Sequence, residues 1–122
     1  MILVDTSVWV DHFHHSDPEL EDLLRQRLIL VHPFVIGELA LGSFPKRAAL
    51  LDSLHALRHA TLAHDSEVLR LIDAWQLAGT GIGYIDAHLL ASTLLTPETL
   101  LWTRDRKLRT VASQLSLDAE LG

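Results

Sequence analysis

The sequence contains no cysteine. Disulfides, thiolate catalysis and Cys-ligated zinc or iron–sulfur sites are thereby excluded. Long hydrophobic runs are also missing. Leu28–Val31 and Leu100–Trp102 are far too short to cross a bilayer. No basic region precedes the apolar start Met1–Val4, so a signal peptide is not expected and a cytoplasmic address is the default. Positive charge is in deficit, with 10 Lys and Arg against 16 Asp and Glu and a formal charge of −6. This argues against a protein that coats nucleic acid by bulk electrostatics. An enzyme acting on nucleic acid stays open, because local charge and metal ions outweigh the total. Internal repeats, linkers and low-complexity segments are absent.

The chain has 122 residues, 48% hydrophobic and 21% charged. That composition excludes disorder as the main state. The length matches one domain over residues 1–122, able to bury about 65–70% of its unfolded surface. Met1–Val4 is strand-like and ends at the cap-type residues Asp5-Thr6-Ser7, before a short helix over Val8–Phe13. Asp17-Pro18-Glu19 starts another helix. Leu28–Val31 is a second strand, and Pro33 opens a helix through Leu41. Pro45 opens the next, with Leu50, Leu51, Leu54 and Leu57 at helical spacing. His59–Ala63 is a further short strand. A long helix runs from Asp65 to a stop at Gly79, and Gly79–Gly83 is a loop. Tyr84–Leu95 is helical, Leu100–Thr103 a strand, and Asp105–Leu115 a helix. Strands alternating with helices predict an α/β three-layer domain, its mostly parallel sheet of four or five strands flanked by helices.

Ligands of open parallel sheets bind beyond the carboxyl ends of the strands. Asp5 and Asp105 follow two of those ends. Asp86 lies near the start of the helix after the glycine loop, and Glu38 in the helix entered from the second strand. Each has an ordinary alternative. Asp5 and Asp105 suit helix caps, Asp86 a first-turn acid, and Glu38 a solvated helix face. Taken together, four carboxylates at one sheet edge would repel and raise one another's pKa. A hard cation, Mg²⁺ or Mn²⁺, resolves that cost. Such ions serve phosphodiester hydrolysis by lowering the pKa of a bound water and stabilising a leaving oxygen. Thr6, Ser7 and Thr103 each lie within two residues of an acid, where a hydroxyl orients a carboxylate or water, or simply caps.

Other signals are weaker. His12, His14 and His15 have no matching distant pair for zinc. His88 lies two residues after Asp86, roughly opposite on a helix, which favours a packed or hydrogen-bonded role over catalysis. The Gly79–Gly83 loop lacks the Lys-Ser/Thr of a nucleotide P-loop.

Four segments carry a family resemblance. Ile2-Leu3-Val4-Asp5-Thr6-Ser7-Val8-Trp9, Val35-Ile36-Gly37-Glu38-Leu39, Tyr84-Ile85-Asp86-Ala87-His88-Leu89-Leu90-Ala91 and Leu101-Trp102-Thr103-Arg104-Asp105 resemble the four motifs of PIN-domain nucleases, in order. The resemblance spans Ile2 to about Leu115. At this size the chain looks like the VapC toxins of toxin–antitoxin systems. The resemblance implies an Mg²⁺- or Mn²⁺-dependent endoribonuclease acting on structured RNA such as tRNA or rRNA. It also implies restraint by a cognate antitoxin and assembly as a homodimer. It places metal-site roles on Asp5, Glu38, Asp86 and Asp105 and a supporting hydroxyl on Thr103, less surely on Thr6 or Ser7. In the family the antitoxin's C-terminal segment lies in a groove of the early helices. Trp9, Phe13, Phe34 and Phe44 suit core positions, and of them Trp9 and Phe13, four apart on one face, are also anchor candidates for such a partner.

One position departs from the family. Some relatives have an acid two residues after the fourth motif's Asp, and here it is Lys107. A second metal then either depends on substrate phosphate or is absent. Arg104, Arg106, Lys107 and Arg109 are candidates for RNA phosphate contacts, although one helix cannot turn all of them to the cleft. Two other readings compete. One is a PIN-like scaffold without activity. The other is a receiver-like phosphoacceptor, disfavoured by the lack of paired acids after the first strand and of a Lys ending the last.

Overall fold

In the computed structural model all of residues 1–122 are described. The elements run β1 (Ile2–Val4), α1 (Thr6–His14), α2 (Pro18–Arg25), β2 (Ile29–Leu30), α3 (Pro33–Ala40), α4 (Arg47–His55), α5 (Asp65–Ala74), α6 (Tyr84–Leu95), β3 (Leu100–Trp102) and α7 (Arg106–Gln114). The sheet is parallel throughout, in the order β2-β1-β3. Successive strand residues point to opposite faces. Leu3 and Val4, Ile29 and Leu30, and Leu101 and Trp102 are nonetheless all buried, so helices cover both faces.

The sheet has three strands, fewer than the four or five expected. The short strand expected over His59–Ala63 is a single parallel bridge, His59 to Val31, and Asp118 makes another to Leu101 on the opposite edge. Each edge segment pairs through one residue and then turns to solvent, since Thr61, Leu62 and Glu120 are exposed.

Two helix boundaries also differ. Lys46 adopts a left-handed conformation at φ 57°, so α4 starts at Arg47 rather than at Pro45. The helix from Asp65 ends at Ala74, well before Gly79. Its terminus is a Schellman turn built on Gln76 at φ 54°, with Leu77 N–H donating to Ile72 O and Gln76 N–H to Asp73 O. Arg27 after α2 and Ser116 after α7 end their helices in the same way, with φ of 58° and 59°.

The chain leaves β1 for β2 on one side and returns to β3 on the other. The crevice between the carboxyl ends of β1 and β3 is therefore the topological switch point of the sheet, where open α/β folds bind ligands.

Candidate active site

Asp5 stands at that crevice, immediately after β1. Its N–H donates to Trp102 O at 2.9 Å, which ties it to the end of β3. It is only 6% exposed and makes no side-chain cap bond to α1. The capping alternative for Asp5 is thus replaced by another arrangement. Its Oδ2 accepts the Thr103 hydroxyl at 2.7 Å and the Ser7 hydroxyl at 3.0 Å. Thr103 is fully buried, and its Oγ1 also accepts the Asp105 N–H at 3.1 Å. Ser7 Oγ accepts the Arg104 N–H at 2.9 Å. Two hydroxyls thus lock one buried carboxylate to both strand ends.

Asp105 does cap its helix, with Oδ1 accepting the Leu108 N–H at 2.9 Å. Its side chain is exposed at the mouth of the crevice. Asp86 sits in the first turn of α6 and accepts the Gly83 N–H at 2.9 Å. Glu38, exposed on α3, accepts the Thr6 hydroxyl at 2.7 Å. The four acids meet electrostatically at Asp86. Burial first, and then the charges of Asp5, Asp105 and Glu38, push its pKa above the ordinary carboxylate range, against the pull of the Gly83 N–H.

None of these four acids forms an ion pair, although Asp11, Asp17, Glu21, Asp22 and Asp118 all have basic partners. The donor set is all oxygen and uncompensated, which suits a hard divalent cation. No three His, Asp or Glu side chains are close enough to form a finished cage.

The structure also redistributes the other candidates. Arg104 turns away from the crevice. Its guanidinium pairs with Asp11 at 2.8 Å and with Asp17, donates to Gly122 O at 2.7 Å, and stacks over Trp102. Arg109 pairs with Asp118 at 3.5 Å. Trp9 is a core residue, 2% exposed, and so is not an anchor for a partner. Phe13 instead stacks on Phe44 at 4.7 Å, and both line a groove of about 210 Å³ beside Glu38. Phe34 is on a different face, packed against His32 and His88. His88 is buried and hydrogen-bonds Asp65 at 3.0 Å, which also accepts the Tyr84 hydroxyl. This tie between α5 and α6 has no short-range sequence signal. His12 accepts the Asp17 N–H, and no zinc cluster forms around it.

The PIN domain family profile matches residues 2–114 of this sequence. The chain belongs to the PIN-domain family. It is 44% identical over 114 residues to "Ribonuclease VapC32" of Mycobacterium tuberculosis, in strains CDC 1551 / Oshkosh and ATCC 25618 / H37Rv. The alignment covers 93% of this chain and 92% of the relative. In this PIN domain, the four acids thus belong to a fold shared along almost its whole length with a ribonuclease.

Proposed function

We propose that this chain is a metal-dependent endoribonuclease, folded as a single nuclease domain over residues 1–122 and acting as the toxin of a toxin–antitoxin pair. The observation that carries the reading is the hydroxyl-held Asp5 at the switch point, beside an Asp86 whose pKa is raised by burial and then by three further acids, with no basic side chain paired to any of them. Similarity to a VapC ribonuclease supports the RNA substrate. A structured RNA such as tRNA or rRNA is the substrate class.

In this reading Asp5, Asp86 and Asp105 would hold Mg²⁺ or Mn²⁺, directly or through water, and the bound ion would acidify a water and screen charge developing on the phosphate. Ser7 and Thr103 fix the Asp5 carboxylate, so its rotamer is set before substrate arrives. Thr6 holds one oxygen of Glu38 and leaves Oε2 to ligate or to orient the attacking water. The attack is in line and displaces an RNA oxygen from phosphorus. Thr103 couples Asp5 to Asp105 through one oxygen atom, which keeps two metal-binding acids in a fixed relation.

The groove lined by Val10, Phe13, Leu39 and Phe44 suits an apolar segment of the cognate antitoxin, and Glu38 on its wall brings that segment to the active site. Leu94 and Leu95 expose an apolar edge of α6 that suits a homodimer contact. No helix is long and apolar enough to cross a membrane, and a cytoplasmic site of action completes the reading.

The test is cleavage of total cellular RNA by the chain purified without a partner, in Mg²⁺, Mn²⁺ or EDTA, with Asp5→Asn as control. Metal-dependent cutting that disappears in the variant is the expected result. Folded protein that cuts nothing with either metal would overturn the assignment.

A further inference from the structure

Four of the ten basic side chains crowd into residues 104–109, in the stretch Arg104-Asp105-Arg106-Lys107-Leu108-Arg109. The structure divides them in two. Arg104 and Arg109 are bound to acids, the first to Asp11 and Asp17 and the second to Asp118. Arg106 and Lys107 are exposed and pair with no acid. They also occupy the first two positions of α7, whose first turn holds no acidic residue. Helix starts favour negative charge, because the unpaired N–H groups there carry the positive end of the dipole. Two cations at that point work against local stability. Violations of a local rule without a structural gain concentrate at functional positions.

Each cation also has a defined setting. Lys107 lies flat across Gly81 in the loop that delivers Asp86. A β-carbon at Gly81 would come within 2.9 Å of Lys107 Cδ and 3.1 Å of its Nζ. Gly81 has φ +86°, so both its backbone and its missing side chain make room for the lysine. Arg106 faces the other way, into an open groove of about 580 Å³ lined also by the acid-paired Arg104 and Arg109, by Asp118, and by Thr110, Ser113 and Gln114. That groove has no apolar lining. The two unpaired cations therefore follow the exposed Asp105 directly in the chain, Lys107 against the Gly81 loop and Arg106 in the α7 groove.

We propose that Arg106 and Lys107 grip RNA phosphates next to the acids, while Arg104 and Arg109, whose charges Asp11, Asp17 and Asp118 already neutralise, add nothing to the salt dependence of binding. This rests on the ribonuclease reading above. The cations offset the repulsion that a chain of charge −6 presents to a polyanion.

Binding of a fluorescein-labelled hairpin RNA, followed by anisotropy in EDTA, tests this without cleavage. Each lost phosphate contact lowers the slope of log K against log salt by about 0.7–0.9. The double variant R106Q/K107Q is expected to lose about 1.4–1.8 from the slope. Between about 50 and 200 mM salt, that removes roughly a tenfold part of the salt effect. R104Q and R109Q are expected to keep the wild-type slope while melting at lower temperature. An unchanged slope in R106Q/K107Q, or an equal loss in R104Q or R109Q, overturns the proposal. Metal-dependent cleavage by the wild type, assayed in parallel, separates that outcome from a failure of the ribonuclease reading. Wild-type protein that neither binds RNA in a salt-dependent way nor cuts it would overturn both.

Discussion

Replacing Thr103 by valine removes one oxygen from the centre of the site and keeps nearly the same side-chain volume. That oxygen donates to Asp5 Oδ2 at 2.7 Å and accepts the Asp105 N–H at 3.1 Å. A hydrogen bond to a charged group contributes about 1.5–3 kcal/mol and a neutral one about 0.5–1.5. The extra buried methyl returns about 0.8 kcal/mol. Ser7 still donates to the same Asp5 oxygen, so the carboxylate keeps one of its two hydroxyl partners. Thr103→Val should therefore cost about 2–3 kcal/mol. For a chain of 122 residues that is a fall in melting temperature of about 7–12 °C. Thr103→Ser keeps the oxygen and loses only a methyl, for about 1 kcal/mol. Thermal unfolding followed by circular dichroism in EDTA reads the difference directly. If Thr103→Val melts within about 2 °C of Thr103→Ser, the hydroxyl is not holding the site together and the argument from its bonds is wrong.

Three further outcomes follow from the same geometry. Asp86 has a raised pKa, so its charged form is disfavoured in the fold, and stability declines as pH rises through that pKa. Asp86→Asn should melt higher than the wild type in EDTA above neutral pH, and should lose much of the stabilisation of about 2.7 kcal/mol that metal at a hundred times its Kd gives; a lower melting point without metal would contradict this. Burial, and then the neighbouring His88 and His59, depress the pKa of His32 to about 4. Its contribution, about 3 kcal/mol, is complete above the unfolded value and lost as pH falls from 6.5 toward 4. His32→Asn retains an acceptor for the Phe34 N–H and should flatten the melting-temperature profile over that interval, where an unchanged slope would assign the acid loss to other groups. Gly81→Ala meets both a left-handed backbone and the Lys107 side chain, so chemical denaturation should show a loss of about 1–2 kcal/mol; a neutral result would mean that the loop and Lys107 relax freely.

The positions of Asp5 and Asp105 were legible because chain topology alone places them. Asp5 and Asp105 follow strands that end at one sheet edge, and a parallel α/β sheet collects its ligands there. What short-range patterns could not supply is which oxygen meets which hydroxyl, because Thr103 and Asp5 are 98 residues apart. One helix end, that of α5, differs from the sequence reading for a local reason. Glycine is the usual left-handed terminator, but Arg27, Gln76 and Ser116 serve here, so a stop placed at Gly79 came too late. The outer strands were overcounted because a run of suitable residues does not fix how far pairing continues. The basic cluster shows the remaining gap. Residues next to one another in extended backbone point to opposite sides. With Thr103 and Asp105 turned to the crevice, Arg104 between them must face Asp11 and Asp17, as it does. The helix beginning at Arg106 then sweeps the following side chains around its axis, returning Arg109 to the Asp118 side while Lys107 crosses to Gly81. Charge composition places four cations together in the chain, and the fold pairs Arg104 and Arg109 with acids while leaving Arg106 and Lys107 unpaired.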